Sequence, residues 1–344
     1  MSGIRLVGIH VEGFRAFQAP FDASFRSPLG TPTDVVVIAG PNGMGKTSLL
    51  EAILLAMGKE SLIRQSLVAE TANGHWRTEI PDTASLSLTF DVSSAPGTEL
   101  GAYAPCEVRI VRSLATWRLE IVRENQIQPL QDPVRESFLR DVPVEYLSSW
   151  RGPFQLGGVR ASATISEIPQ DERYRFFRLK QRIIDERSAR GFSDRETRDA
   201  VWLNRLNEVW CSWHDKTDTW IDALETGDVE RPFDLFLVRD IGYGAQPVCP
   251  LDMASSGELE WVTLAGSLIV DDFQGMLLID EPELHLHPQW QARLLPTLRK
   301  LAPEAQLVVA THSAYPWDQA LPFQRLLLLP PDDPRRSDVS GESK

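Results

Sequence analysis

The sequence has little cysteine, no long apolar run, and too few basic residues to balance its acidic ones. Each shortage excludes a class of protein. Its three cysteines, Cys106, Cys211 and Cys249, lie far apart without a C-x-x-C spacing, so neither a disulfide framework nor a cysteine zinc site is indicated. They read as small core residues in a reducing compartment. No stretch approaches the roughly 18–20 consecutive apolar residues that cross a bilayer. The opening MSGIRLVGIH also lacks the apolar region and cleavage site of a secretory signal. A cytoplasmic location with no membrane partner is therefore expected. Asp and Glu number 48 against 35 Lys and Arg, a formal net charge of -13. That balance argues against a surface that coats nucleic acid, because non-specific affinity for DNA rests on cations that neutralise phosphates. A local basic patch is still allowed. There is neither an internal repeat nor a low-complexity block.

What is present is an ordinary globular composition, 344 residues of which 42% are hydrophobic and 24% charged, long for a single core. One large α/β unit with a sub-lobe is expected. Ile4 to Phe17 alternates apolar and polar residues and reads as a strand running through a turn at Gly13. Val35-Val36-Val37-Ile38-Ala39 is an unbroken apolar run, typical of a strand buried on both faces of a parallel sheet. It meets a glycine-rich turn, after which Thr47 to Met57 has helical residue types throughout. From Ala84 to Ser149 the segments SLSLTFDV, CEVRIVRS, TWRLEIVR and VEYLSS predict an antiparallel meander.

Between Asp171 and Leu224 the period becomes helical. Phe176, Leu179 and Ile183 share a stripe, followed by Leu203, Leu206, Trp210, Trp213, Trp220 and Leu224, which predicts two helices forming an arm. The tryptophans read as packing rather than a base-stacking platform. The final third predicts a helix over Glu258 to Val270, a strand over Met276 to Ile279, a helix over Pro288 to Leu301, a strand over Gln306 to Ala310 and a last apolar run over Arg325 to Leu329. The tail Pro330 to Lys344 is polar and proline-rich and reads as disordered.

Gly40-Pro41-Asn42-Gly43-Met44-Gly45-Lys46-Thr47 satisfies G-x-x-x-x-G-K-[ST], and Ser48 follows it. The match stands between a buried strand and a helix, which is the context the motif requires. Glycines let backbone N–H groups wrap phosphate oxygens while the helix N-terminus faces their charge. Lys46 is placed to reach the β- and γ-phosphates, and the Thr47 hydroxyl to hold Mg2+. The apolar strand Met276 to Ile279 ends in Asp280-Glu281-Pro282. Beside a P-loop, Asp280 is expected on the metal side and Glu281 as the general base that polarises an attacking water. Ser255-Ser256-Gly257-Glu258 opens a helix and offers hydroxyls and free N–H groups to phosphate, although a serine followed by a glutamate is equally a capping signal. Thr311-His312-Ser313 puts a histidine just past a strand, where it could sense a γ-phosphate.

These elements, in this order, resemble the ABC-type ATPase heads of the SMC, RecF and OLD proteins. They are most similar to the single-chain AAA-like ATP-binding proteins of bacterial phage-defence and retron systems. Val11-Glu12-Gly13-Phe14-Arg15-Ala16-Phe17 looks like the G-F-[RK]-x-F strand, and Glu281-Pro282-Glu283-Leu284-His285-Leu286-His287-Pro288 is close to that group's stretch after the Walker B strand. The resemblance implies an α/β P-loop NTPase fold of the ABC/SMC-head type, with a mixed central sheet, an antiparallel β flank and a short helical sub-lobe in place of a coiled-coil arm. It divides the chain into an N-terminal ATPase lobe (1–150), a helical arm (151–232), a C-terminal ATPase lobe (233–330) and a tail (331–344).

The implied function is an ATP-dependent dimer in which Ser255, Ser256 and Gly257 act in trans on the partner copy's γ-phosphate. His312 is the implied switch histidine, and Arg15 lies near the nucleotide. Some features depart from the family. The signature reads A-S-S-G-E rather than L-S-G-G-Q, and Gln155 is only a candidate for the Q-loop. His285 and His287 suggest no metal site, since no third ligand is spaced for zinc. The segment Arg173 to Arg190 is basic at Arg173, Arg175, Arg178, Lys180, Arg182, Arg187 and Arg190 and acidic only at Asp185 and Glu186, a candidate contact for nucleic acid or an acidic partner.

Three functions follow. The first is a slow regulatory ATPase that needs ATP and Mg2+ and governs an effector in trans, a nuclease on another chain as in Septu-like pairs of an ATPase with an HNH protein. The second is a RecF-like repair ATPase that binds DNA directly, and the third an energiser of membrane transport. The G-F-R-A-F opening and the A-S-S-G-E turn argue against the last.

Overall fold

The computed structural model describes residues 4–59, 62–63, 68–70, 76–78, 84–92, 107–113, 116–123, 126–129, 142–149, 175–190, 201–214, 218–228, 233–242, 244–270, 273–284, 286–330 and 333. In chain order the elements begin with β1 (Arg5–Glu12), β2 (Phe21–Ser24), β3 (Val35–Ala39), α1 (Lys46–Ala56), β4 (Val68–Glu70) and β5 (Trp76–Thr78). Next come β6 (Ser85–Asp91), β7 (Glu107–Ser113), β8 (Thr116–Arg123), β9 (Gln126–Pro129), β10 (Val144–Leu147), α2 (Arg175–Arg190) and α3 (Val201–His214). After these run β11 (Thr219–Glu225), β12 (Phe233–Asp240), β13 (Ala245–Pro250), α4 (Ser256–Val270), β14 (Met276–Asp280) and α5 (Pro288–Leu301). The chain closes with β15 (Gln306–Thr311), α6 (Ala314–Gln319) and β16 (Arg325–Leu327).

Two compact units divide the chain. The first comprises residues 1–149, 274–283 and 304–344, the second 150–273 and 284–303. In the first, β2-β1-β6-β7-β8-β9 form an antiparallel sheet and β10-β14-β15-β3-β16 a parallel one. Helix α1 packs against β14 and β15 of one sheet and against β1, β6 and β7 of the other. Its residues Leu49, Leu50, Ala52, Ile53, Leu54, Leu55 and Ala56 are all 0% exposed. A helix apolar on every side is one buried on every side, which is how TSLLEAILLAM folds. Gln306 fastens the two sheets at one point. Its buried amide accepts from the Leu6 N–H at 2.8 Å and donates to the Leu6 and Thr33 carbonyls at 2.8 Å.

One expectation is overturned here. VEYL does not continue the antiparallel meander. As β10 it pairs in parallel with β14, Val144 opposite Met276 and Leu147 opposite Ile279. Gly275 allows that approach, because a Cβ there would lie 2.0 Å from the Pro143 carbonyl oxygen.

In the second unit α4 packs on α2, α3 and α5, and β11-β12-β13 form an antiparallel sheet. Phe176, Leu179 and Ile183 of α2 are buried, and Leu179 lies over Gly266 of α4, where a Cβ would come within 2.5 Å of it. Trp213 stacks on Trp261 with ring centroids 3.6 Å apart and meets Trp290 at 5.3 Å. Trp220 and Leu224 depart from the sequence reading, since they lie on β11 rather than on the second helix. Gln155, His285, Arg173 and the stretch 334–344 fall outside the described residues. No helix among the described residues is long and apolar enough to cross a membrane.

Candidate functional site

Parallel pairing in register sets the site. Asp280 lies opposite Ala310, and Thr311 opposite Ala39, so the ends of β14, β15 and β3 come out on one edge. Ligands of open parallel sheets bind beyond the carboxyl ends of their strands. The P-loop, the Asp280-Glu281 pair and the Thr311-His312-Ser313 turn all leave from that edge. Sequence alone could not show that β15 stands between β3 and β14.

The loop from Gly40 to Gly45 is glycine-rich for steric reasons. Gly40 (φ 153°) passes so close to Leu328 that a Cβ would sit 2.3 Å from its carbonyl oxygen, and a Cβ on Gly45 (φ 92°) would press on Ala16 and the Phe17 ring. Gly45 caps α1 in the left-handed conformation with no side-chain cap, and the first turn holds no acidic residue. The opening N–H groups of α1 thus face the edge with neither a carboxylate nor a capping oxygen upon them, the arrangement that receives phosphate.

Lys46 Nζ donates to the carbonyls of Gly40 (2.9 Å) and Pro41 (3.1 Å) and lies 3.4 Å from His312 Nδ1. Burial holds its ammonium below the ordinary lysine value, against the pull of Glu281, Asp280 and Glu283. A phosphate chain at the loop would supply further negative charge to that cation. The Thr47 hydroxyl donates to Asp280 Oδ2 at 2.8 Å, and Asp280 is 0% exposed. Among the described residues Glu281 is one of two non-glycine residues with positive φ, at 49°, a strained conformation of the kind concentrated at functional positions. Its Oε1 is 3.1 Å from His312 Nε2. The network assigns the tautomer in which Nε2–H donates to Glu281 and Nδ1 accepts from Lys46.

Arg15 is the other among the described residues, also at φ 49°, in the tight turn closed by Phe14 and Phe17. Its guanidinium pairs with Glu51 of α1, a partner that sequence reading missed. Glu283 was missed as well. It takes hydrogen bonds from the whole Thr311-His312-Ser313 turn, and the only sequence signal was a second acid in E-P-E-L.

In the second unit, Ser255 accepts weakly from the Glu258 N–H (3.4 Å), while Glu258 accepts from the Ser255 N–H and hydroxyl at 2.8 and 2.7 Å. The capping reading of S-S-G-E is thus realised, with Ser255 and Ser256 exposed. Glu258 also meets His214 Nε2 at 3.0 Å, and His214 stacks on Trp210. On the basic helix, Lys180 is withdrawn from any outside partner. It is 0% exposed, 2.7 Å from Asp234 Oδ1 and also paired with Asp252. Arg175, Arg178 and Arg182 are half-buried. The His287 ring caps α5 by accepting from the Gln289 N–H. Among the described residues no group of His, Cys, Asp and Glu forms a protein-only metal cage.

A family model described as "AAA domain, putative AbiEii toxin, Type IV TA system" matches residues 139–315, more than half of the chain, and a second AAA-domain model matches residues 9–126. The chain is 41% identical to the Septu protein PtuA of Bacillus thuringiensis over 68 residues, 20% of this chain and 17% of that protein. It is 50% identical over 42 residues to a retron Ec83 probable ATPase of Escherichia coli, 12% of this chain and 8% of the relative. These matches therefore span under a fifth of the relatives' own length. Among solved structures, an Smc head bound to the C-terminal winged-helix domain of ScpA aligns over 90% of both chains with a TM-score of 0.54 at 13% identity. At that identity the likeness speaks for the fold alone, which is that of an SMC head.

Proposed function

The chain belongs to the AAA-domain family whose model covers more than half of it, and we propose that it is a slow, regulatory ATPase that closes as a homodimer around ATP and Mg2+ and governs a partner effector. The effector, a nuclease on another chain, fits a bacterial anti-phage complex, a setting supported by the likeness to a Septu protein and a retron ATPase. One observation carries the ATPase reading. Thr47 and Asp280, 233 residues apart in sequence, are joined at 2.8 Å beside Lys46. A hydroxyl and a buried carboxylate at that separation suit neighbouring ligands of Mg2+, which takes one or two protein oxygens and completes its shell with water and phosphate.

In this reading Thr47 and Asp280 hold Mg2+, and the N–H groups of Gly43, Met44, Gly45, Lys46, Thr47 and Ser48 wrap the phosphates, with Gly40, Pro41 and Asn42 shaping the loop. When bound, Mg2+ neutralises charge developing on the transferred phosphoryl oxygens. Lys46 turns from its loop carbonyls toward the phosphates. Glu281 takes the proton of the attacking water, and His312 orients that carboxylate through the 3.1 Å contact. Arg15, near the nucleotide, is braced against α1 through Glu51. Ser255, Ser256 and Gly257 act on the nucleotide held by a second copy.

The test is steady-state phosphate release by wild type, Lys46→Ala and Glu281→Gln. Wild type is expected to turn over, Lys46→Ala to lose nucleotide binding, and Glu281→Gln to bind ATP with hydrolysis reduced about 100-fold or more, within the 10²–10⁴ range of general-base catalysis. Equal rates in all three proteins would remove the ATPase reading.

A further inference from the structure

His312 stands on a turn that has no regular structure of its own to hold it, lying between the end of β15 and the start of α6. Its conformation must therefore be imposed by hydrogen bonds, and Glu283 supplies them. Oε1 accepts from the His312 N–H at 2.6 Å and from the Ser313 N–H at 3.0 Å. Oε2 accepts from the Thr311 hydroxyl at 2.8 Å. The Thr311 oxygen also accepts from the Ser313 N–H at 2.9 Å, which closes the network on itself. Two backbone donors converging on one carboxylate oxygen make the charge-assisted kind of hydrogen bond, about twice as strong as a neutral one.

We propose that Glu283 is the positioning residue of this site. Its carboxylate fixes the Thr311-His312-Ser313 turn so that the imidazole spans Lys46 and Glu281. It would touch neither nucleotide nor water; its hydrogen bonds act through His312, and its charge adds a smaller pull on Lys46 behind those of Glu281 and Asp280. The inference rests on the ATPase reading for its consequence in turnover, though not for the turn it describes.

Two readouts test this, one of them independent of nucleotide. In the nucleotide-free full chain, hydrogen exchange is followed for peptides covering 308–318. Glu283→Ala is expected to accelerate exchange of the His312 and Ser313 amides at least about tenfold. Glu283→Gln keeps one carbonyl oxygen for both N–H donors and presents its amide N–H to the Thr311 oxygen. It is expected to stay within about threefold of wild type, and it preserves the test if the alanine variant fails to fold. Exchange in a folded Glu283→Ala that matches wild type, or in Glu283→Gln as fast as in an unfolded control, would overturn the proposal.

The second readout is turnover. Glu283→Ala is expected to lower kcat at least about tenfold with KM within about twofold, and to cost no more than about twofold further in a His312→Ala background, where only its weaker pull on Lys46 remains to be lost. Losses that multiply in the double variant would show a role outside His312 and overturn the assignment. If wild type and Lys46→Ala hydrolysed ATP equally, the ATPase reading would fail while the exchange result still judged the turn.

Discussion

Glu258 shows how one side chain can set the conformation of a whole turn. Its carboxylate holds both the N–H and the hydroxyl of Ser255 and meets the His214 ring on its other side. The His214 hydrogen bond, aided by those from Ser255 and opposed by burial, lowers its pKa to about 2 from the ordinary 4.5. A carboxyl whose folded pKa is depressed adds stability that is complete above the unfolded value and disappears as pH falls through the folded one. Wild type should therefore exceed Glu258→Gln in unfolding free energy by about 1–2 kcal/mol near neutrality, a figure reduced for the partial exposure of the group. The gap should narrow below pH 4.5 and close near pH 2. Urea titrations of both proteins at several pH values measure it, and a gap that stayed constant down to pH 2.5 would mean that the carboxylate charge is not what holds the turn.

Among the elements, legibility in the sequence followed the strength of the local pattern. The run from Val35 to Ala39 and the largely apolar helix after Gly45 were plain, because a strand or helix buried on every side leaves few polar residues to blur it, Glu51 being the paired exception. VEYL was not, since a four-residue strand with half-exposed Val144 and Glu145 looks the same in a meander as at the edge of a parallel sheet. Trp220 and Leu224 kept a near-helical spacing by coincidence, although Thr219, Ile221 and Ala223, all buried on β11 beside Asp222, point to the period of a strand. The β11-β12-β13 sheet went unread for the same reason. Its last strand, AQPVCP, is exposed over Ala245 to Val248 and lacks an apolar alternation. The β10–β14 pairing instead depends on a feature outside any period, the absence of a side chain at Gly275. Gly275→Ala should cost about 2–3 kcal/mol, because the obstructing atom is a backbone carbonyl that cannot swing aside. Differential scanning calorimetry would register this as a melting transition several degrees lower, and an unchanged transition would mean that β10 yields without strain.

For the molecule as a whole, the individual parts of the site were visible in the sequence, while their connection came from topology. G-P-N-G-M-G-K-T, D-E-P and T-H-S each announced themselves, yet the Lys46–His312–Glu281 chain and the grip of Glu283 depend on β15 lying between β3 and β14. The P-loop belongs to the first compact unit and the S-S-G-E turn to the second, with Ser255 and Ser256 exposed and Met253 beside them 76% exposed. Beside residues proposed to act on a second copy's nucleotide, Met253 is the apolar side chain that the proposed dimer would cover. In the proposed dimer, the second copy covers it when ATP is bound. Glu281→Gln, which is expected to bind ATP without consuming it, makes that state long-lived enough to weigh. Light scattering after gel filtration should give a mass near 38.6 kDa without nucleotide and about twice that with Mg-ATP. Met253→Asp should shift the mixture back toward the monomer while leaving ATP binding intact, since a buried unpaired carboxylate opposes the interface and not the P-loop. A mass that ignored Mg-ATP in protein shown to bind it would separate nucleotide binding from self-association, and Ser255 to Gly257 would lose their role in trans.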